Sequence, residues 1–271
     1  MKTITINYPH SICTFQLTMD SDAMYRRILS HFGSLIDNSN FVMREKTRCI
    51  DIVIESKKKT ITTNQNGEIK TSIFNDNWLH TLDIMIRSNL VFENEWEAYH
   101  GSVISKNNIS YLLLGESMSG KSTLTTYLIK KEKFKLVSED IVILNYKTGD
   151  VCPVIRNINL RKKGYHLLLS KNVLNEKDCE YADETDRYIF SPARDEIICS
   201  EEQIIKKCFI LHLNKEYTGK KINKNFFVYL INSYIENMVN KKVKPALTLI
   251  QNIPTYDLYY YELAGVASLM E

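Results

Sequence analysis

Residues 115–122 read Gly-Glu-Ser-Met-Ser-Gly-Lys-Ser, a complete G-x-x-x-x-G-K-[ST] pattern. The apolar run 111–114 precedes this stretch, and residues 123–129 have the spacing of a helix. In such a strand–loop–helix unit the glycines let backbone N–H groups point at phosphate oxygens, and the helix adds the positive end of its dipole. The pattern predicts a phosphate-binding loop in which Lys121 reaches the β- and γ-phosphates and the Ser122 hydroxyl holds Mg²⁺. The predicted nucleotide-binding residues are Gly115, Glu116, Ser117, Met118, Ser119, Gly120, Lys121, Ser122 and Thr123.

The 271-residue chain has an ordinary globular composition, with 44% hydrophobic and 25% charged residues. Its formal net charge of +3 is too small to indicate nucleic-acid binding, and its lysine pairs are dispersed along the sequence. No apolar run is long enough to span a membrane, and the N-terminus lacks the apolar core of a signal peptide. The six cysteines show no metal-ligand spacing. We therefore expect a cytoplasmic protein with reduced thiols that binds neither nucleic acid nor membrane.

The chain is predicted to contain a small N-terminal α/β region over 1–95 and a nucleotide-binding domain over 96–271. In the first region, alternating apolar residues predict strands, and two of them turn at Asn66-Gly67, a typical hairpin signal. In the second region, strands and helices follow one another around the loop. This order predicts an α/β fold with a mixed central sheet and flanking helices. Its predicted strands are 102–105, 110–114, 136–144, 209–213 and 256–263, and its predicted helices are 121–131, 227–238 and 264–271.

Glu139 and Asp140 are adjacent carboxylates inside the apolar run 136–144, and they lie 18 and 19 residues after Lys121. Burying a carboxylate costs free energy unless it faces a cation or a solvent-lined site. Adjacent strand residues point to opposite faces, so both side chains can serve one site only at a kink or a strand end. The alternative is a strand edge with one exposed carboxylate.

Three other polar residues are candidates whose spacing alone does not decide their role. His100 precedes the strand 102–105, and a lone histidine is more often structural than catalytic. Arg156 and Arg161 lie in a stretch rich in apolar residues, where surface ion pairs are the usual role of arginine.

Together these motifs resemble the C-terminal domain of bacterial HPr kinase/phosphorylase, a family related in fold to phosphoenolpyruvate carboxykinase. The resemblance rests on His100-Gly101, on the stretches 112–122 and 136–140, and on 153–161, which is similar to a Pro-x-x-Arg-x-Ile-x-Leu-Lys segment. It is stronger to stand-alone HPr-kinase-like proteins, including kinases that phosphorylate precursor peptides such as those of lasso peptides. It covers about residues 75–263.

The resemblance implies a site that uses ATP and Mg²⁺. It places the loop and Lys121 on the phosphates, and Ser122 on the metal. Glu139 and Asp140 fall on the family's Asp-Asp pair, in which one acid activates the acceptor serine and the other helps to hold the metal. Because Glu139 replaces an aspartate, the division of these roles stays open. The resemblance also implies that His100 lies near the transferred phosphate and that Arg156 matches the arginine of the family segment.

The sequence therefore predicts a kinase that phosphorylates a serine hydroxyl of a peptide or small protein. Its predicted catalytic residues are Glu139, Asp140, His100, Lys121 and Arg156, and its predicted metal ligands are Ser122, Asp140 and Glu139. Two alternatives remain: a kinase for free serine or a sugar, and a non-catalytic nucleotide-binding scaffold in a peptide-maturation complex. Assembly into a homo-oligomer is a further expectation from the resemblance.

Overall fold

The structure is a computed structural model in which the chain divides into two compact units. The described residues up to 92 belong to the first unit, and those from 95 onward form the second. The predicted helix over 227–238 lies outside the described residues. The structure describes residues 1–8, 11, 13–32, 48–74, 78–90, 92, 95–182, 186–198, 203–222, 248 and 251–271.

The first unit contains a five-stranded sheet and two helices within its described residues. They are β1 (Lys2–Asn7), β2 (Cys13–Met19), β3 (Arg48–Glu55), β4 (Thr60–Gln65), β5 (Glu68–Ile73), α1 (Asp22–Phe32) and α2 (Trp78–Ser88). The strands pair in sequence order, with β2 and β3 parallel and the other pairs antiparallel. Asn66 and Gly67 have left-handed backbone, with φ of 53° and 87°, as the predicted two-residue hairpin turn requires.

The second unit contains a seven-stranded mixed sheet, a small three-stranded sheet and helices. Its strands are β6 (Trp96–Lys106), β7 (Ile109–Leu114), β8 (Lys135–Asn145), β9 (Asp150–Cys152), β10 (Ile158–Leu160), β11 (Cys179–Ala182), β12 (Arg187–Phe190), β13 (Gln203–Leu213), β14 (Gly219–Ile222) and β15 (Thr255–Tyr260). Its described helices are α3 (Lys121–Glu132), α4 (Lys162–Ser170) and α5 (Val266–Met270).

The larger sheet has the order β14-β15-β13-β7-β6-β8-β9, and the smaller one has the order β10-β12-β11. Strands β7, β13 and β15 are parallel to one another, and the remaining pairs of the larger sheet are antiparallel. The expected mixed α/β architecture is confirmed. In the parts of the chain that the structure describes, no helix has the length and apolar character needed to cross a membrane.

An apolar core lies on each face of the larger sheet. On one face, Leu124 and Leu128 of α3 pack with Leu113 of β7. On the other face, Leu112 and Leu114 belong to a separate cluster. Because successive strand residues point to opposite faces, β7 is held from both sides, and its C-terminal end has a fixed position. The loop over 115–120 starts from that end.

Of the two strands near this loop that carry candidate site residues, β6 is longer than the sequence indicates and β8 matches its predicted range to within one residue at each end. Strand β6 begins at Trp96, whereas the apolar pattern predicts its start at 102. The polar residues Glu97 and His100 interrupt that pattern, although Glu97 is buried. Strand β8 passes through Glu139 and Asp140 without ending there, so both carboxylates lie within one strand.

Candidate functional site

The connection between β7 and α3 is shaped by two glycines. Gly120 is the residue before α3 and has a left-handed backbone with φ of 85°. A Cβ atom on Gly120 would lie 2.8 Å from the Tyr260 hydroxyl oxygen, and one on Gly115 would lie 2.5 Å from Ser119 Oγ. Tyr260 itself donates a hydrogen bond to the Ser119 carbonyl at 2.9 Å. Both positions therefore require glycine for this loop geometry.

The loop and the start of α3 contain polar groups without a side-chain partner among the described residues. None of these residues caps the N-terminus of α3, so the first N–H groups of this helix lack the partners that a capping residue would supply. Within the described part of the chain, the buried Ser119 Oγ has no hydrogen-bond partner. Arg161 Nη2 donates to Ser117 Oγ at 3.1 Å, which adds a cation beside the loop. This combination suits an anion such as a phosphate group.

Lys121 is buried at the start of α3, and its ammonium group points back to the loop. Its Nζ donates to the Gly115 carbonyl at 3.2 Å. Burial lowers the pKa of Lys121, and the nearby Glu139 and Asp140 carboxylates partly oppose that shift. The loop therefore holds a cation whose charge is only incompletely compensated, in a position where phosphate oxygens would compensate it.

Glu139 lies beneath the loop and is 3% exposed. Its Oε1 accepts a hydrogen bond from Ser122 Oγ at 2.9 Å, and its Oε2 accepts one from Ser102 Oγ at 2.5 Å. Burial raises the pKa of Glu139, while both serine hydroxyls act in the opposite direction. Ser102 lies opposite Glu139 in the β6–β8 register, which explains how a residue 37 positions away meets this carboxyl.

Asp140 points into a different environment from Glu139 because the backbone bends at this residue. Its φ is 68°, a left-handed value that is uncommon for a non-glycine residue in a strand. Asp140 Oδ2 forms an ion pair with Arg156 Nη1 at 2.9 Å, and Oδ1 lies 3.1 Å from His100 Nδ1. The side chain of Asp140 is 27% exposed and that of Arg156 is 2% exposed. The bend provides the kink that both carboxylates need in order to serve one site.

The surroundings of His100 indicate which ring nitrogen carries a proton. His100 Nδ1 lies 3.1 Å from the Asp140 carbonyl oxygen as well as 3.1 Å from its Oδ1. Both neighbours are acceptors, so Nδ1 donates and carries the hydrogen. The ring is about half exposed. His100 thus holds the bent residue in place from the solvent side.

The structure brings most of the predicted site residues together around the loop. Glu116, Ser117 and Met118 are exposed at its tip, where Met118 has left-handed backbone with φ of 71°. Thr123 points elsewhere, since a Cβ on Gly164 of α4 would meet its Oγ1. The predicted residues that share one neighbourhood are Gly115, Ser119, Gly120, Lys121, Ser122, Glu139, Asp140, His100 and Arg156.

Sequence reasoning does not identify Ser102 and Tyr260 as site residues, and it treats Arg161 as a surface ion-pair residue. Neither residue belongs to a recognisable sequence motif: Ser102 is a serine two positions after His100, and Tyr260 is a tyrosine in an aromatic strand. Their contacts arise from strand pairing and from the parallel order of β7, β13 and β15. The arginine could have been suspected, because it ends a basic and apolar stretch that starts with Arg156.

A divalent cation at this site would need mixed ligands. Among the described residues, no group of three His, Cys, Asp or Glu side chains could hold a metal ion. The Ser122 hydroxyl and the Glu139 carboxyl, 2.9 Å apart, are hard oxygen ligands of the kind that Mg²⁺ prefers. Mg²⁺ usually binds to one or two protein oxygens and completes its shell with water and substrate phosphates. The residues present fit that pattern.

Replacing Ser102 with alanine should lower the free energy of unfolding by about 2 kcal/mol, because the buried Glu139 Oε2 then loses its donor. Ser110→Ala is the matched control, since Ser110 is equally buried but bonds to the neutral Gln203 amide at 3.3 Å. The control should cost about 1 kcal/mol. Urea unfolding of both variants at pH 7 measures the difference. Equal losses would contradict a special role of the Ser102 hydroxyl in holding the Glu139 carboxyl.

Comparison with known proteins yields one distant structural similarity and no family assignment. No family model matches the chain, and no curated protein matches it. Among solved structures, the chain is similar to an HPr(Ser) kinase/phosphatase from Coxiella burnetii, with 13% sequence identity over 60% of this chain and 85% of the other. The TM-score is 0.32. A likeness at this level says nothing about the activity of this chain.

Proposed function

We propose that this chain is an ATP- and Mg²⁺-dependent kinase that transfers the γ-phosphoryl group of ATP to a serine hydroxyl of a peptide or small protein. The observation that carries the proposal is the difference in environment between the Glu139 and Asp140 carboxylates. Glu139 is buried against Ser122 of the loop, whereas Asp140 opens to solvent beside it. Phosphoryl transfer needs these two functions: a carboxylate on the metal side and one on the acceptor side.

The loop supports the nucleotide part of the proposal. Gly115 and Gly120 let the loop pack closely on Ser119 and Tyr260, and none of the described side chains caps the start of α3, which leaves its first N–H groups for a ligand. Lys121 is already folded back against the loop, so the cation is preorganised and needs little rearrangement to meet a phosphate. The unpartnered Ser119 Oγ is a further group that a phosphate oxygen would satisfy.

Ser122 and Glu139 support the metal part of the proposal. Their contact at 2.9 Å brings a hydroxyl and a carboxyl together directly under the loop. A bound Mg²⁺ would neutralise charge on the phosphate oxygens of ATP. Ser102 holds the other oxygen of Glu139, so the carboxyl has one oxygen fixed and one directed at the loop serine.

Asp140 supports the acceptor part of the proposal. Its partly exposed carboxylate can accept the proton of a serine hydroxyl as the serine oxygen bonds to the γ-phosphorus. The bond from that phosphorus to the bridging oxygen then breaks, and ADP leaves. Glu139 is unsuited to this task because its 3% exposure closes it to an acceptor chain. We therefore assign Asp140 as the base and Glu139 to the metal, a division that the sequence leaves open.

Arg156 and His100 act on Asp140 in this proposal. Arg156 is almost completely buried and forms a charge-assisted contact with Oδ2, so it fixes the carboxylate rather than reaching toward an acceptor. His100 binds both Oδ1 and the carbonyl oxygen of the same residue. Both residues therefore position the base, and His100 is also open enough to meet a phosphate from the solvent side.

A transfer assay with γ-labelled ATP tests the proposal. The full chain is incubated with a library of serine-containing peptides, and in parallel with free serine and sugars, in the presence of Mg²⁺ or EDTA. We expect Mg²⁺-dependent label on serine peptides. Label on small molecules alone would contradict the peptide acceptor and support a metabolite kinase. ATP binding without transfer to any acceptor would overturn the kinase and leave a nucleotide-binding scaffold.

A further inference from the structure

Strand β5 forms an open edge of the first unit's sheet. Among the described residues it pairs with β4 alone, and all six of its residues are exposed. Its pairing with β4 is continuous from Glu68 to Ile73 and contains no bulge. An edge of this kind presents a row of unpaired backbone groups to another strand. Proline and bulges, which often protect such edges, are absent from β5, and its two charged residues, Glu68 and Lys70, are paired with each other.

The backbone groups that face outward can be identified from the register. Phe74 donates its N–H to the Lys59 carbonyl at 2.8 Å, so these two residues form a hydrogen-bonded pair. Hydrogen-bonded and non-hydrogen-bonded pairs alternate along an antiparallel ladder. The N–H and C=O groups of Ile69, Thr71 and Ile73 therefore point away from β4, toward the free edge.

The same three residues also share one face of the sheet, because strand side chains alternate. Ile69 is 66% exposed and Ile73 is 83% exposed, which is unusual for two isoleucines on one short strand. Thr71 lies between them, with its hydroxyl 3.1 Å from that of Thr62 on β4. The sequence Ile-x-Thr-x-Ile is symmetric about Thr71, so the edge looks alike when it is read from either end.

We propose that β5 pairs with β5 of a second copy of this chain, antiparallel and about a two-fold axis at Thr71. In this register Thr71 lies opposite Thr71 of the second copy, and Ile69 lies opposite Ile73 of the second copy. The outward N–H and C=O groups of both strands are then matched, with about six hydrogen bonds. The isoleucines form cross-strand pairs on one face, and the two sheets become continuous.

The charges of β5 do not oppose a second copy as the partner. Glu68 and Lys70 form an ion pair with each other at 2.9 Å, so each strand brings one acid and one base, and no net charge, to the contact. The register also places Glu68 of one copy opposite Phe74 of the other, and Phe74 pairs with Lys59 of the basic turn 57–59.

The size of the contact sets the expected affinity. Two six-residue edge strands with two isoleucines each form an interface well below the standard size of about 1,600 Å². Interfaces below about 1,200 Å² belong to weak or transient complexes. We therefore expect a reversible dimer whose population rises with protein concentration.

Sedimentation equilibrium of the full chain over a wide concentration range tests the dimer. The double variant Ile69→Lys with Ile73→Lys should weaken association at least about tenfold, because it puts like charges opposite one another across the edge. Ile222→Lys is the matched control, since Ile222 is 75% exposed on β14, the edge strand of the other sheet. It should leave association unchanged. A monomer at every concentration, or a dimer that the double variant does not weaken, would overturn the proposal.

Cysteine cross-linking tests the register independently of affinity. The background is Cys49→Ser, because Cys49 is an exposed free thiol. Thr71→Cys should oxidise to a covalent dimer, since directly opposed residues in a hydrogen-bonded pair lie about 5.5 Å apart, a distance that a disulfide spans. Ile69→Cys should not, because the two copies of residue 69 would be about 14 Å apart. Faster cross-linking of Ile69→Cys than of Thr71→Cys would refute the pairing about Thr71.

Discussion

Asp140→Asn is expected to lower phosphoryl transfer about a thousandfold while nucleotide affinity changes less than about threefold. The amide keeps the shape of the carboxylate but cannot accept the serine proton. Nucleotide affinity should persist because Lys121 and Ser122 are held by their hydrogen bonds to Gly115 and Glu139, which the substitution leaves in place. Initial rates with γ-labelled ATP and the acceptor found in the transfer assay measure the first effect, and titration calorimetry with ATP measures the second.

The same substitution has a structural consequence that the experiment must separate from catalysis. Arg156 is 2% exposed and would lose its anionic partner, which typically costs about 3 kcal/mol or more for a buried ion pair. Rates are therefore measured well below the midpoint of thermal unfolding of the variant. Asp150→Asn is the control, since Asp150 on β9 bonds Thr148 and not the site residues. A fully active Asp140→Asn enzyme would remove Asp140 from the role of base.

Glu139→Gln, compared with Asp140→Asn, tests whether the two acids have the different roles proposed for them. It should abolish the dependence of nucleotide binding on Mg²⁺, whereas Asp140→Asn should preserve that dependence. The reason is that the proposed function assigns only Glu139, which contacts Ser122, to the metal side. The reverse pattern, with Mg²⁺ dependence lost in Asp140→Asn and kept in Glu139→Gln, would exchange the two assignments.

The sequence predicts the loop well because its requirements are local. Gly120 needs a left-handed backbone and Gly115 needs a missing side chain, and both demands arise within a few residues of each other. The bend at Asp140 is likewise anticipated by a local argument, because two adjacent carboxylates inside one apolar strand can meet only if the strand departs from regular alternation. In these cases the residue types themselves indicate the local backbone structure.

The remaining contacts of the site depend on pairing between distant segments, which residue type does not encode. Ser102 meets Glu139 only because β6 and β8 pair in one particular register. Tyr260 meets Ser119 because β15 is next but one to β7 in a parallel arrangement. The length of β6 is missed for a related reason: Glu97 and His100 are polar, and their place in the strand is decided by neighbours that the sequence pattern does not reveal.

Lys121→Met is expected to reduce phosphoryl transfer more than about a thousandfold and to leave the free energy of unfolding unchanged or higher. The methionine fills a similar volume but removes the charge that faces the phosphates. Burial lowers the pKa of Lys121, so its charged form costs stability at every pH below that lowered value. The cost disappears as the pH rises toward 10.5, where the lysine of the unfolded chain also loses its proton. At pH 7 the wild type bears this cost and the variant does not.

Lys130→Met on the same helix is the matched control for this prediction. Lys130 forms an ion pair with Glu196 at 2.9 Å and has no contact with the loop, so its loss should cost about 0.5 kcal/mol and leave transfer unchanged. Urea unfolding at pH 7 and the transfer assay are applied to both variants. If Lys121 served mainly to hold the fold, Lys121→Met would be the less stable of the two. An inactive variant that is at least as stable as the wild type is the result expected of a buried cation kept for a ligand. Glu139 and Asp140 offset only part of the free energy of burying its charge, and a bound phosphate would offset more of it.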